Sequence, residues 1–93
     1  MYYLLLHRKF RKSLSVLREG RVWNEIQLQT LLDLLVAGDR LHTVYKDHQL
    51  KGDMSIYREC HIKHDLLLVY QRDEPRRVVT VVDIGTHDDL FGT

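Results

Sequence analysis

The chain has 93 residues, with 14 Lys/Arg against 13 Asp/Glu and a formal net charge of +1. This length fits one domain, residues 1–93, with a modest core and no room for a separate cofactor domain. No apolar run approaches the roughly 18 residues that span a bilayer. The apolar start precedes its basic residues, the reverse of a signal peptide. The single cysteine, Cys60, excludes an internal disulfide framework, so we expect a cytoplasmic protein without membrane contact.

The charges are unevenly distributed along the chain. Residues 1–22 contain six Lys/Arg and one acid, a net charge of +5, whereas the remainder has eight Lys/Arg against twelve Asp/Glu, a net charge of −4. Basic residues clustered on one short segment are typical of a surface that contacts phosphates. A solvated helix face explains the same cluster equally well.

The first half of the chain predicts a strand followed by two helices. Residues 2–6 are bulky and apolar, as in a short strand. Residues 8–18 have one apolar stripe at helical spacing, formed by Phe10, Leu14 and Leu17. A second helix is expected from Trp23 to about Val36, before Gly38. Two helices joined by a tight turn form a hairpin.

The second half predicts a polar, irregular segment and then three strands. Residues 40–54 lack periodicity, whereas residues 55–63, 66–70 and 78–84 are strand-like. A hairpin turn is expected at His64-Asp65. The fold class is therefore α+β, with a helical hairpin on one face of a four-stranded antiparallel sheet in the order β-α-α-β-β-β. The first strand is expected at an edge or beside the last strand.

Four ionisable residues from separate segments of this half are the candidates for chemistry: His48, His61, Asp65 and His87. Histidine exchanges protons near neutral pH. Cleavage of RNA by transesterification needs a base for the 2′-hydroxyl and an acid for the leaving 5′-oxygen, each contributing about 10²–10⁴-fold. It also needs cations for the phosphate, and the nearest in sequence are Lys46, Arg58 and Lys63.

Other interpretations of these residues remain open. A single histidine is more often a surface or hydrogen-bonding residue than a catalyst. His61-x-x-His64 resembles metal-ligand spacing, but in a strand these two side chains point to opposite faces, and we expect neither a metal site nor a cofactor. Cys60 alternates away from His61 and is expected in the core. Phe91 either caps the core or stacks on a base.

Three segments carry a resemblance to a known family. They are VYKDHQLKG at residues 44–52, YRECHIKHDLLLVY at residues 57–70 and IGTHDDLFG at residues 84–92. In residue types and spacing they resemble the YafQ branch of the RelE/ParE superfamily of bacterial type II toxins. The first half of the chain agrees with that family in its order of elements.

The resemblance implies a RelE/ParE-like fold and a ribosome-dependent endoribonuclease that cuts mRNA. It also implies a cognate antitoxin that neutralises the toxin. Carried over by position, the four candidates match the family's acid/base group, and Phe91 matches its C-terminal aromatic residue. The basic first helix would face ribosomal RNA through Arg8, Lys9, Arg11 and Lys12.

Two departures from the family pattern affect what is expected. His64 stands where family members often have proline, and Asp83 stands where related toxins often have arginine. Two other functions are therefore weighed against mRNA cleavage. One is a ParE-like toxin that poisons DNA gyrase, which has no need of the histidines. The other is a degenerate toxin retained only to bind its antitoxin, an interpretation that Asp83 favours.

Overall fold

The computed structural model describes residues 1–20 and 23–92, so Arg21, one member of the basic cluster, lies outside the described residues. Short 3₁₀ turns occur at Thr43–Tyr45 and Gly52–Met54. The helices and strands, in chain order, are β1 (Tyr3–Leu6), α1 (Arg8–Arg18), α2 (Glu25–Ala37), β2 (His48–Gln49), β3 (Arg58–Lys63), β4 (Leu66–Asp73), β5 (Val78–Gly85) and α3 (His87–Phe91).

The sheet has five strands in the order β1-β5-β4-β3-β2. Strands β2 to β5 are antiparallel to their neighbours, whereas β1 runs parallel to β5, with Tyr3 opposite Val78 and Leu6 opposite Val81. The predicted position of the first strand beside the last is confirmed. The predicted count of four strands and the all-antiparallel pairing are wrong. The extra strand, β2, has two residues, too few for any periodicity, and β1 alone carries no signal of its pairing direction.

Helix α1 is confirmed over the predicted residues. His7 precedes it in an extended conformation, and its Nδ1 accepts a hydrogen bond from the Lys9 backbone N–H at 3.0 Å. This interaction satisfies one of the free N–H groups at the helix start. Phe10 and Leu14 are buried, and Leu17 packs against the core at its border. The opposite face of α1 therefore remains available for its basic residues.

Helix α2 begins two residues later than predicted because Asn24, not Trp23, marks its start. The Asn24 side chain accepts hydrogen bonds from the N–H groups of Ile26 and Gln27. The helix ends at Gly38, which has a left-handed φ of 83°. A Cβ atom at this position would come within 2.5 Å of the Tyr2 ring, so glycine is required both by conformation and by space.

The core lies between the helices and one face of the sheet. Leu66, Leu68 and Tyr70 of β4 face it, and Leu67 and Val69 on the opposite face are buried as well. This double burial agrees with the continuous apolar run in the sequence. The prediction that Cys60 is a core residue is confirmed, since its exposed fraction is 0%. Burial also raises the pKa of its thiol, which keeps it protonated and unreactive.

The strand ends differ from the prediction where turns compete with alternation. β3 begins at Arg58 rather than at residue 55, because Gly52–Met54 forms a 3₁₀ turn that Ser55 ends. β4 continues to Asp73 in a two-stranded ladder with β5, so the polar turn starts later. Helix α3 was not predicted. Its start is a capping box, in which the side chains of Thr86 and Asp89 accept from each other's backbone N–H.

Candidate active site

The ladder between the strands brings the predicted histidines together at one end of the sheet. His48 of β2 lies opposite Glu59 of β3. His61 lies two residues further along β3, on the same face as Glu59. His87 begins α3, directly after β5. The antiparallel register therefore places residues that are up to 39 positions apart around one point of the sheet surface.

Glu59 is that point, and the sequence did not single it out. Its Oε1 lies 3.8 Å from Nε2 of His48, 3.6 Å from Nε2 of His61 and 4.0 Å from Nε2 of His87. The residue is buried, with 4% of its surface exposed. A buried carboxylate is stabilised by positive charge nearby, which each of these imidazoles supplies when it is protonated. Its shared parity with His61 was the one signal in the sequence that could have identified it.

Asp65 binds Nδ1 of His87, the ring nitrogen other than the one near Glu59. Asp65 Oδ1 lies 3.0 Å from Nδ1 of His87 and accepts the His87 backbone N–H at 3.3 Å. The side-chain hydrogen bond, followed by the backbone one, lowers the pKa of Asp65, so this carboxyl is ionised at neutral pH. An ionised carboxylate only accepts hydrogen bonds. Nδ1 of His87 therefore carries a proton, and Nε2 is left for exchange with a ligand.

His48 is oriented in a comparable way by the backbone. Its Nδ1 lies 2.8 Å from the carbonyl oxygen of Lys46. Since a carbonyl oxygen cannot donate, Nδ1 must carry the proton. The Nε2 atom of His48 then faces the Glu59 side of the site, as does that of His87.

His61 is the most enclosed of the three imidazoles, with 18% of its side chain exposed. Burial lowers its pKa, and this effect outweighs the opposing influence of Glu59, while Lys46 and the other two histidines lower the pKa further. His61 is therefore neutral at physiological pH and has a lone pair free to accept a proton.

Of the predicted RNA contacts, Phe91, Lys46 and Lys63 lie near the histidines, whereas Arg58 does not. Phe91 of α3 is 37% exposed, and its ring centroid lies 6.2 Å from that of His87. Lys46, Lys63 and His64 line a cleft of about 440 Å³ that His61 also borders. Arg58, by contrast, is not brought to the histidines. It donates from Nε and Nη2 to the carboxylate of Asp47, at 3.3 and 3.0 Å.

The predicted ribosome contacts on α1 differ in whether they have a carboxylate partner. Arg8, Arg11 and Lys12 are exposed. Lys9 instead places its Nζ 3.5 Å from Oδ2 of Asp83. Asp83 is buried in the last part of β5, opposite Val69 of β4, and also accepts a hydrogen bond from the hydroxyl of Ser13 at 2.6 Å. Lys9 and Ser13 thus compensate the buried charge at the position where the family pattern has arginine.

Within residues 1–20 and 23–92, no group of three or more His, Cys, Asp or Glu side chains is arranged to hold a metal ion. The three imidazole nitrogens surround a carboxylate oxygen rather than a common free position. Across the same residues, no helix is both long and apolar enough to cross a membrane.

Comparison with known proteins identifies the family. A family model described as "Bacterial toxin of type II toxin-antitoxin system, YafQ" matches residues 2–92. The chain belongs to the YafQ family. Membership confirms the resemblance found in the sequence and makes the chain a toxin of the type II class.

Individual YafQ relatives agree over sequence and fold. The mRNA interferase toxin YafQ of Escherichia coli K12 is 36% identical over 67 residues, which are 71% of each chain. The crystal structure of the E. coli DinJ–YafQ complex contains a chain with a TM-score of 0.88 and 28% identity, covering 99% of this chain and 100% of that one. A metal-bound toxin from Helicobacter pylori has a TM-score of 0.89 and 36% identity, with 98% and 100% covered. These neighbours share the two helices packed on a sheet.

Proposed function

We propose that this YafQ-family toxin is a ribosome-dependent endoribonuclease that cleaves mRNA by acid/base transesterification. The carrying observation is the convergence of three imidazole Nε2 atoms within 4.0 Å of Glu59 Oε1. The proposal is supported by relatives named mRNA interferases. A toxin that acts only by binding gyrase has no use for such an arrangement, and a degenerate toxin would not need to retain it.

In the proposed reaction His61 is the general base. It is neutral because burial lowers its pKa, so Nε2 can take the proton from the 2′-hydroxyl of the RNA. The 2′-oxygen then attacks the adjacent phosphorus, and the bond from phosphorus to the 5′-oxygen of the next nucleotide breaks. This step leaves a 2′,3′-cyclic phosphate on one fragment.

His87 is the proposed general acid. As an imidazolium it has a carboxylate beside each nitrogen, Asp65 at Nδ1 and Glu59 at Nε2. Its Nε2 gives a proton to the leaving 5′-oxygen, which becomes a 5′-hydroxyl. His48 presents a third Nε2 and is proposed to act as an imidazolium, in which Nδ1 donates to the Lys46 carbonyl and Nε2 donates a hydrogen bond or proton to the crowded phosphate. Each proton-transfer role contributes about 10²–10⁴-fold.

The surroundings of the histidines are suited to holding RNA. The ammonium groups of Lys46 and Lys63 border the cleft beside His61 and would face phosphate oxygens. Phe91 offers an exposed ring next to His87, on which a base can stack. The exposed basic residues of α1 would contact ribosomal RNA.

The proposed partner in the resting cell is an antitoxin. E. coli YafQ has been solved in complex with DinJ, and a type II toxin of this family would be held by a protein of that kind. Ribosomes and mRNA place the proposed activity in the cytoplasm.

Alanine substitution of the proposed acid and base tests the function. We expect His61→Ala and His87→Ala to abolish mRNA cleavage by primer extension after induction, and to restore growth. His42→Asn is the matched control, because His42 is an exposed histidine whose side chain only accepts the Val44 N–H, as asparagine also can. Full toxicity of both alanine variants would overturn the proposal.

A further inference from the structure

The segment that carries His48 has little regular structure of its own. Between the end of α2 and the start of β3, the ladder with the rest of the sheet consists of two residues, His48 and Gln49. Two-residue pairings are weak, because most strand stability comes from several adjacent cross-strand pairs. A catalytic histidine on such a segment needs another attachment to stay in position.

Asp47 is that attachment. Its carboxylate accepts Nε of Arg58 at 3.3 Å, Nη2 of Arg58 at 3.0 Å and the hydroxyl of Tyr70 at 2.5 Å. Tyr70 lies in β4 and is completely buried in the core. Arg58 and Tyr70 are opposite each other in the ladder between β3 and β4. Asp47 is thus fastened to two neighbouring strands of the sheet, β3 and β4.

The attachment acts on both neighbours of Asp47. Lys46 has a left-handed φ of 50°, and its carbonyl oxygen lies 2.8 Å from Nδ1 of His48. The carbonyl acceptor and the imidazole therefore flank the anchored residue on either side. Any movement of Asp47 away from Arg58 and Tyr70 would change the distance and angle of this hydrogen bond.

We infer that Asp47, Arg58 and Tyr70 form a positioning brace, which fixes the ring orientation and the Nδ1–H tautomer of His48. This inference rests on the proposed function, in which Nε2 of His48 faces the reacting phosphate. None of the three residues touches the substrate. Arg58 thereby has a role through Asp47 rather than as a cation for RNA.

Two members of the brace, Arg58 and Tyr70, stay protonated over the physiological range. The hydrogen bond to Asp47 raises the pKa of Arg58, and burial, together with the hydrogen bond to Asp47, raises the pKa of Tyr70. Both groups therefore remain hydrogen-bond donors at neutral pH. The hydrogen bonds that hold Asp47 therefore persist over this range, and they keep the orientation of His48 constant.

Two substitutions test the brace, one by removing a hydrogen-bond donor and the other by removing the acceptor. Tyr70→Phe deletes one hydroxyl and keeps the core ring, and Asp47→Ala deletes the acceptor at a partly exposed site. Their controls are Tyr3→Phe, at an exposed tyrosine, and Asp53→Ala, at an exposed aspartate in the neighbouring turn. If Tyr70→Phe fails to fold, Asp47→Ala decides alone, because its side chain is not part of the core.

The measurements separate positioning from stability and from binding. Nitrogen-15 chemical shifts report the tautomer of each histidine, single-turnover cleavage on programmed ribosomes reports the chemical step, and co-sedimentation reports ribosome affinity. We expect His48 to populate both tautomers in the brace variants, with His61 and His87 unchanged. We expect cleavage to slow by roughly 10- to 100-fold at unchanged ribosome affinity, because small displacements of a catalytic group have effects of this size.

The inference is overturned if His48 keeps its Nδ1–H tautomer and cleavage keeps its rate in the folded brace variants. Failure of the proposed function would look different. If His48→Ala cleaves at the wild-type rate, His48 has no part in the reaction, yet a tautomer change in Asp47→Ala would still support the brace.

Discussion

Asp65 and His87 are 22 residues apart in sequence and are joined by a contact of 3.0 Å between Oδ1 and Nδ1. This contact decides which nitrogen of His87 is free for chemistry. Asp65 lies in the turn between β3 and β4 with a left-handed φ of 52°, and His87 is the first residue of α3. The turn and the short helix α3 together orient the His87 ring so that its Nε2 faces Glu59.

Replacing Asp65 by asparagine tests this relationship. An amide group can donate to Nδ1 and stabilise the other tautomer, with the proton on Nε2. We expect Asp65→Asn to slow single-turnover cleavage by about 10²-fold, below the 10⁴-fold seen when a fully buried carboxylate of this kind is lost, because Asp65 is exposed. Asp88→Asn, an exposed acid one residue beyond His87, is the control. Cleavage by Asp65→Asn at the wild-type rate would show that the contact has no catalytic role.

The chemistry of the cut ends distinguishes histidine catalysis from metal-activated water. Transesterification leaves a 2′,3′-cyclic or 3′ phosphate and a 5′-hydroxyl, whereas attack by a metal-bound hydroxide leaves a 5′-phosphate. We expect 5′-hydroxyl ends. Labelling of the products with polynucleotide kinase, with and without prior phosphatase treatment, measures this directly. Fragments that need the phosphatase before labelling would contradict the proposed mechanism.

The basic face of α1 should contribute to ribosome binding through charge. We expect Arg8→Glu/Arg11→Glu/Lys12→Glu to lower ribosome affinity by co-sedimentation at low salt. The difference in ribosome affinity between the triple variant and wild type should become smaller as the salt concentration rises, because salt weakens the same phosphate contacts that the substitutions remove. Arg40→Glu, an exposed cation outside α1, is the control. Equal affinity of the triple variant and wild type at low salt would mean that this face is only solvated.

The junction between α1 and α2 should respond to acid. Glu25 accepts hydrogen bonds from Arg18 and from the indole of Trp23, and these lower its pKa to about 2. A depressed pKa stabilises the folded state above the unfolded value near 4.5, and the contribution is lost as the pH falls toward 2. Wild type should therefore be more stable than Glu25→Gln at pH 7, and the difference should shrink between pH 4.5 and 2. Urea unfolding followed by Trp23 fluorescence measures it, and a difference independent of pH would refute the assignment.

The buried Asp83 should depend on the hydroxyl of Ser13. Ser13→Ala removes a donor at 2.6 Å from a carboxylate whose side chain is 8% exposed. We expect the free energy of unfolding to fall by about 1–3 kcal/mol, the usual cost of leaving such a group short of a partner. Ser15→Ala, on the exposed side of the same helix, should change stability little. Equal unfolding midpoints for the two variants would argue against the role of Ser13.

Local patterns in the sequence account for much of this fold. The stripe of Phe10, Leu14 and Leu17 predicted α1, and the apolar run of β4 predicted a strand buried on both faces. Patterns failed where pairing between distant segments decides the outcome. The parallel direction of β1 and the two-residue strand β2 depend on partners that no local period reveals.

The residue types of the candidate site could be predicted from the sequence, whereas the contacts between these side chains could not. Motif spacing pointed to His48, His61, Asp65 and His87, and the structure brings all four together. Glu59 was missed because one acid in a strand has no special signal until three imidazoles converge on it. The sequence also does not reveal that two of the predicted contact cations have carboxylate partners: Arg58 pairs with Asp47, and Lys9 pairs with Asp83.

The pairing of β1 with β5 has a consequence for how the protein folds during its synthesis. Tyr3 lies beside Val78, so the first strand cannot pair with β5 until β5 has been synthesised. Contacts of such long range are slow to form, because the intervening chain must lose its freedom before they are made. The fold that brings the three histidines together around Glu59 is therefore completed only after β5, and His87 beyond it, have been synthesised.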